Sequence, residues 1–247
     1  MSSEHQGSLY LLPNTLGETA PGSVIPAAVL DRARSLDYFI AEDPKTARAF
    51  LKRIGVNLPL QSIRIERLDH NTRDADVAAL LEPVLSGRNA GLLSEAGLPA
   101  IADPGADLVR LAHEHGLRVV PLSGPSSILL SLAGSGLNGQ RFVFHGYLPV
   151  EEQKLSAALK DMEGQSRRLA QTQIFIETPY RNDRTLAAML RTLDPATLVC
   201  VAADLTLESE SVNTRTVAQW RRKPPRLKGR PTVFLLLAPR GGLASGS

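Results

Sequence analysis

The chain predicts a two-domain α/β protein, an N-terminal, mostly parallel sheet with helices followed by a C-terminal mixed or antiparallel sheet with helices. Three observations carry this. In the first half short β-rich runs alternate with longer amphipathic stretches, the pattern of βαβ units and hence of a parallel sheet. In the second half strands follow one another without an intervening helix, which implies antiparallel pairing. Between the halves, residues 133–140 (AGSGLNGQ) turn small and polar, as a joint does rather than a packed element. The expected domains are 1–124 and 125–247, with the joint near 133–140 and a disordered tail at 241–247 (GGLASGS).

In chain order, the first strand is expected at 8–12, where an apolar run ends in a Pro-Asn turn, and a helix at 25–35. The strand at 38–41, the helix at 45–54 and the strand at 63–68 continue the alternation, followed by a helix at 75–86, a strand at 90–94, a helix at 108–115 and a strand at 118–122. The second half offers strands at 142–147, 173–177, 198–204, 211–217 and 232–237, with helices at 151–162 and 182–193. In open parallel sheets ligands gather outside the carboxyl ends of the strands, so the loops at those ends hold the functional information.

Composition narrows the classes. A chain of 247 residues, 43% apolar and 21% charged, buries one large core or two modest ones, which excludes general disorder. The single cysteine, Cys200, forms no internal disulfide, and the first residues lack a basic region leading into a long apolar run. The longest apolar stretches, such as 232–239, fall well short of the ~20 residues of a membrane-spanning helix. The expectation is a cytoplasmic protein without a membrane partner. A net charge of +3 does not by itself demand a polyanion, although 220–230 (WRRKPPRLKGR) concentrates basic residues.

Three loops stand out. Pro13 to Glu18 (PNTLGE) follows the first strand, where a dinucleotide site would place G-x-G-x-x-G, and no phosphate-loop pattern occurs anywhere in the chain. Taken alone, PNTLGE reads first as a turn. Ser94 to Gly105 (SEAGLPAIADPG) holds two glycines, two prolines and two carboxylates, more than a turn requires, with Asp103 placed to cap the following helix. Pro121 to Ser127 (PLSGPSS) runs into a helix start whose free N–H groups suit a polar ligand, or are capped by Ser126 or Ser127. Three such loops at one edge of one sheet describe a pocket rim.

Together with AEDPKT (Ala41 to Thr46), DHN (Asp69 to Asn71), RFVFHGYLP (Arg141 to Pro149), ETPYR (Glu177 to Arg181) and Lys228-Gly229, these loops resemble the tetrapyrrole (corrin/porphyrin) methylase superfamily. The nearest branch is the ribosomal RNA small-subunit methyltransferase I family, and the likeness runs from Leu9 to Leu237. It implies a tetrapyrrole-methylase-like fold, a homodimer, and S-adenosylmethionine as methyl donor, with S-adenosylhomocysteine as product, in a cleft between the domains. In that branch the acceptor is a ribose 2′-hydroxyl of 16S ribosomal RNA. The donor contacts implied are Leu12, Pro13, Ser94, Glu95, Ala96, Ile101, Gly124, Ser126, Ser127, Tyr147, Leu148 and Leu205.

The chain also departs from that branch. It has Glu18 where the branch carries Asn, Glu95 and Leu98 where it carries S-D-A-G-T-P, and Pro44, Lys45, Thr46 and Ala47 where it carries T-R-H-T. Ala203-Asp204-Leu205-Thr206-Leu207 replaces R-E-L-T-K, which removes charge that a phosphate backbone would use. Methyl transfer to a hydroxyl needs alignment and a proton acceptor, for which His70, Asp43 and Glu177 are the candidates, His70 first. No metal spacing occurs among His5, His70, His113, His115, His145 and Cys200, so no metal is expected. Ribosomal RNA contacts are expected from Arg181 and from Arg221, Arg222, Lys223 and Arg226, which equally read as a solvated loop. The competing functions are a methyltransferase acting on a tetrapyrrole or other small molecule, and a non-catalytic nucleic-acid-binding relative.

Overall fold

The computed structural model describes residues 6–69 and 71–239; His70 and the tail at 241–247 lie outside them. The chain divides between Ser126 and Ser127 into two compact units. The N-terminal unit holds strands β1 (Ser8–Leu12), β2 (Tyr38–Ala41), β3 (Arg64–Arg67), β4 (Ala90–Leu93) and β5 (Arg118–Pro121), all parallel, in the order β3-β2-β4-β1-β5. Its helices are α1 (Pro21–Val24), α2 (Ala27–Arg34), α3 (Pro44–Ile54), α4 (Asp74–Ala79), α5 (Glu82–Leu85) and α6 (Ala106–Glu114).

The alternation of strand side chains sorts the core into two layers. Tyr10, Leu12, Phe39 and Leu93 pack with Val29, Leu30, Phe50 and Leu51 of α2 and α3. Leu9, Tyr38, Ile40 and Leu92 pack with Val77, Val84, Leu108 and Ala112 on the other face. Burial on both faces is why β2 and β4 read as continuous apolar runs. Tyr38 is fully buried, donates its hydroxyl to Leu80 O at 2.9 Å, and its phenol is pushed up to about 12 by that burial. The helix expected at 75–86 is broken into α4 and α5, since Pro83 lacks the N–H and clashes with the carbonyl that a continuous helix would need.

The C-terminal unit opens with α7 (Ser127–Ser135) and contains β6 (Phe142–Tyr147), α8 (Glu152–Leu169), β7 (Thr172–Glu177), α9 (Asn182–Thr192), β8 (Leu198–Ala203), β9 (Ser211–Thr216), α10 (Val217–Arg222) and β10 (Thr232–Leu237). The sheet order is β6-β7-β10-β8-β9, with β6 and β7 parallel and the other pairs antiparallel. Phe175 and Phe234 stack at 5.4 Å in its core, and buried Trp220 donates Nε1 to Val199 O at 2.9 Å.

Three differences from expectation have local causes. The helix expected to stop at residue 162 runs to Leu169 and closes on Ala170 in a left-handed cap. Where a strand was expected to reach residue 217, Thr216 instead caps α10: its hydroxyl accepts Gln219 N while the Gln219 side chain accepts Thr216 N. The helix after Gly105 begins with that glycine as its cap and no side-chain cap bond, so Asp103 is not the cap.

Candidate functional site

In the N-terminal unit all strands run the same way, so the loops after β1, β2, β3, β4 and β5 emerge along one edge. The buried residue Asn14 ties two of these loops together. Its backbone N–H donates to Gly97 O at 2.8 Å, and its side-chain Nδ2 donates to Ser94 O at 3.2 Å and Glu95 O at 3.0 Å. Its Oδ1 accepts Thr15 N at 2.8 Å, so the amide is used on both sides. Ser94 donates its hydroxyl to Ala96 O at 3.1 Å, which folds the second loop back on itself.

The third loop is joined by close packing. A methyl group on Gly124 would stand 2.1 Å from Cβ of Pro13, so only glycine admits the approach. Gly97, at φ +70°, lies beside Leu16 and Pro125 O. The expected donor residues Leu12, Pro13, Ser94, Glu95, Ala96 and Gly124 therefore belong to one knitted edge, and Ile101 stands on the same central loop. Ala100 and Ala102, on either side of Ile101, hold left-handed backbone at φ 63° and 66°, a conformation that costs an L-residue roughly 1–2 kcal/mol.

Beside this edge an apolar hollow of about 760 Å³ is lined by Leu11, Leu98, Ile101, Val109, His113 and Leu122, among others. Pro13, Asn14 and Gly124 do not line it. Ile101 on its wall is 46% exposed.

The C-terminal unit has a strand-end edge of its own. Glu177 and Ala203 pair with Thr232 from opposite sides, which sets the loops after β7 and β8 beside the entry to β10. Tyr147, at the end of β6, pairs with Ile176 and is exposed, while Leu148 after it is buried. The buried Glu177 carboxylate accepts Thr178 N at 2.6 Å and Arg181 Nη2 at 2.5 Å, both on Oε1, and Oε2 accepts no bond among the described residues. The buried Asp204 carboxylate accepts Arg230 Nε at 2.7 Å and the Ser209 hydroxyl at 2.9 Å on Oδ2. Leu205, buried, sits between Asp204 at φ 54° and Thr206 at φ 70°.

The remaining candidates separate by their hydrogen bonds. Asp43 is the N-cap of α3: Oδ1 accepts Lys45 N at 3.2 Å, and Oδ2 accepts Thr46 N at 3.1 Å and the Thr46 hydroxyl at 2.8 Å. Those bonds, led by the Thr46 hydroxyl, hold its carboxyl below the usual carboxylate value, which makes it a poor proton acceptor. Arg221 donates Nε to Leu190 O at 2.7 Å and Nη2 to Leu193 O at 3.3 Å, fastening α10 to the end of α9. Arg222, Lys223 and Arg226 are exposed. Among the described residues no group of three or more His, Cys, Asp or Glu is placed to hold a metal ion, and no helix is long and apolar enough to cross a membrane.

Sequence reasoning singled out neither Asn14 nor Arg230. Asn14 looked like one more turn former, and its role depends on a loop eighty residues away. Arg230 sat within a basic run whose members the sequence could not tell apart; its pairing follows from the β10–β8 register.

Comparison with known proteins gives a consistent result. Residues 23–220 match the model of a family described as Tetrapyrrole (Corrin/Porphyrin) Methylases. The chain is 33% identical over 214 residues to the ribosomal RNA small subunit methyltransferase I of Escherichia coli O157:H7, covering 87% of this chain and 71% of that protein. It is 30% identical over 233 residues to the enzyme of the same name from Haemophilus influenzae, covering 93% and 78%. Among solved structures, the methyltransferase CobJ superposes with a TM-score of 0.61 at 17% identity, covering 96% of this chain and 97% of that one, a likeness of fold.

Two outcomes follow from this geometry. Asn14→Asp removes the two N–H donors and sets a carboxylate against two carbonyl oxygens, so urea unfolding should show a loss of about 2 kcal/mol, within the range for stranding a buried polar group. Wild-type stability in that variant would mean that the amide does not tie the loops. Asp43→Ala should lower the thermal midpoint at neutral pH. Because the folded-state value of Asp43 is depressed, its contribution is present above the unfolded carboxylate value and lost as pH falls through the folded one. The midpoints of the two proteins should therefore converge in acid, and a gap independent of pH would contradict the cap.

Proposed function

We propose an acceptor for this chain from the premise that it belongs to the tetrapyrrole (corrin/porphyrin) methylase family. It is a methyltransferase whose methyl donor is S-adenosylmethionine. The acceptor we assign is a ribose 2′-hydroxyl of 16S ribosomal RNA: the similar proteins of Escherichia coli and Haemophilus influenzae are named for methylating the RNA of the small ribosomal subunit, and the ribose oxygen is what the family resemblance implies. The observation that carries the assignment of the donor site is the knotting of three loops about Asn14 and the Gly124–Pro13 contact. Close-packed glycines and loop backbone form a cradle suited to a ligand bearing amino, carboxylate, hydroxyl and purine groups. Leu12, Pro13, Ser94, Glu95, Ala96, Ile101, Gly124 and Ser126 would hold the donor from this unit; Ser127, Tyr147, Leu148 and Leu205, in the C-terminal unit, are the further donor contacts that the resemblance implies.

When bound, the donor supplies an electrophilic methyl group on a sulfonium. The protein's part is to orient the acceptor oxygen in line and to receive its proton. Of the candidates, Asp43 has both carboxylate oxygens bonded within α3, and His70 lies outside the described residues. We assign the proton to Glu177, whose Oε1 is held by Thr178 N and Arg181 while Oε2 accepts no bond among the described residues. We further propose a homodimer in the cytoplasm, with the apolar hollow around Leu98 and Ile101 as the surface a second copy covers.

The test of the acceptor is transfer of a labelled methyl group to small ribosomal subunits, with the modified nucleotide located by mass spectrometry; label on a base rather than a ribose would overturn the assignment. Glu177→Gln should lower the transfer rate about a hundredfold or more while donor affinity by calorimetry is retained, in keeping with loss of a general base. Light scattering should report twice the 26.6 kDa chain mass, and a monomer at micromolar concentration would remove the dimer.

A further inference from the structure

Among the described residues, the buried side-chain atoms without a hydrogen-bond partner are Arg181 Nε, Asn182 Oδ1 and Thr206 Oγ1. Arg181 and Thr206 lie in the loops following β7 and β8, and Asn182 is the first residue of α9, all at the strand-end edge of the C-terminal unit. A buried polar atom left unpaired destabilises a fold, so a cluster of them calls for an explanation. Thr206 adds a second cost, because a β-branched residue at φ 70° is strained.

Two arginines share this edge, and each is braced by a buried carboxylate. Arg181 uses one of its guanidinium donors, Nη2 to Glu177. Arg230 uses Nε toward Asp204 and Nη2 toward Ser209 O and the Ser211 hydroxyl, and Nη1 makes no bond among the described residues. The backbone between them is fixed: Asn182 Nδ2 donates to Arg230 O at 2.7 Å, and Gly229 N donates to Pro179 O at 3.0 Å. That bond also sets the orientation of the Asn182 amide, on a residue with no exposed surface, whereas Arg181 and Thr206 are partly exposed as residues. Because Glu177 and Ala203 flank the same residue of β10, the two loops start about 10 Å apart, within reach of two arginine side chains.

We propose that Arg181, Arg230 and Thr206 form a subsite for a phosphodiester of the acceptor RNA. A guanidinium held in one orientation by a buried carboxylate presents its remaining N–H groups as a planar fork, the geometry that matches phosphate oxygens. The Thr206 hydroxyl, covered in this structure as Arg181 Nε is, adds a neutral donor once the side chain turns toward a bound phosphate. The carboxylates cancel most of the arginines' charge, so the subsite works through direction rather than through net attraction and suits one phosphate in register. The exposed run at Arg222 and Lys223 has no such bracing, and Arg221 is bonded to α9. The subsite thus supplies in space the basic contacts that the segment Ala203 to Leu207 lacks in sequence. It rests on the RNA acceptor proposed above.

The test uses the full chain with two probes: methyl transfer to small ribosomal subunits, and binding of a short single-stranded RNA oligonucleotide followed by fluorescence anisotropy against salt. Thr206→Val keeps the shape and removes the unpaired hydroxyl, so folding stability should hold or rise while oligonucleotide affinity falls. Arg230→Lys and Arg181→Gln should each weaken oligonucleotide binding about tenfold, as loss of a charge-assisted hydrogen bond does. Each should also reduce the salt slope by no more than about one. Donor affinity should be unchanged in all three. Unchanged oligonucleotide affinity in Thr206→Val and in both arginine variants overturns the subsite, while methyl transfer to the ribosomal subunit by the parent keeps the acceptor reading. Weakened binding in the variants without transfer by the parent overturns the acceptor reading and, with it, the assignment to an acceptor RNA, while the three residues still form a subsite for an RNA phosphate. A fall in donor affinity with RNA affinity intact overturns the subsite and moves these residues to the donor.

Discussion

The buried amide of Asn14 is the constraint on which the N-terminal edge depends. A loop at a strand end has few neighbours and would otherwise sample many conformations, at an entropic cost on binding. Here one side chain donates to two successive carbonyls of the loop after β4, accepts from Thr15, and places its own N–H on Gly97. The carbonyls of Ser94 and Glu95 thereby gain partners that no helix or strand provides, as buried main-chain groups require. Once the first and second loops are one body, the third needs only to approach closely, which Gly124 permits against Pro13.

The C-terminal edge solves the same problem with charge. Glu177 and Asp204 are buried carboxylates, and burying either without its arginine would be strongly unfavourable. Each pair closes a short loop: Glu177–Arg181 spans the turn into α9, and Asp204–Arg230 joins the loop after β8 to the segment before β10. The register of the sheet makes the second pair possible, since Thr232 lies opposite Ala203, while Glu177–Arg181 is a local pair four residues apart. Rigidity at the N-terminal edge comes from long-range pairing of loops, and at the C-terminal edge from one long-range pair, Asp204–Arg230, together with one local pair, Glu177–Arg181.

This explains what the sequence disclosed. The parallel N-terminal sheet was legible because buried strands and amphipathic helices have different periods, and residues 8–12, 38–41 and 232–237 were read to the residue. The glycine- and proline-rich loops were legible as a group because their composition exceeds what turns need. The division of α4 from α5 was encoded in Pro83, and α10 in the Thr216–Gln219 pair, two local signals that the broader periodicity outweighed. The strand order β6-β7-β10-β8-β9 was not legible, because β10 inserts between strands that precede it by many residues. The roles of Asn14, Arg230 and Arg221 depend on that order and on loop closure, so they had no signature in their neighbours along the chain.

One feature recurs in both units and points back to function. In the N-terminal unit Ile101 stands between left-handed Ala100 and Ala102; in the C-terminal unit Leu205 stands between left-handed Asp204 and Thr206. Glycine would adopt these positions without strain, as it does at Gly97 and Gly105 nearby. Alanine and threonine cost more there and gain no side-chain hydrogen bond in return, for Ala100 and Ala102 have no polar side chain and Thr206 Oγ1 is unpaired. In the C-terminal loop this backbone is held by bonds on both sides of Leu205: Asp204 O accepts Leu207 N at 3.0 Å, and Thr206 N donates to Glu210 Oε2 at 2.7 Å. Strain of this kind persists where the surrounding structure overdetermines it, and it clusters where a fold must present main-chain groups to a ligand. The bonds around Leu205, together with the Asp204–Arg230 pair, are what overdetermine the strained Thr206 backbone, and they hold the buried Leu205 side chain in one place between two left-handed residues.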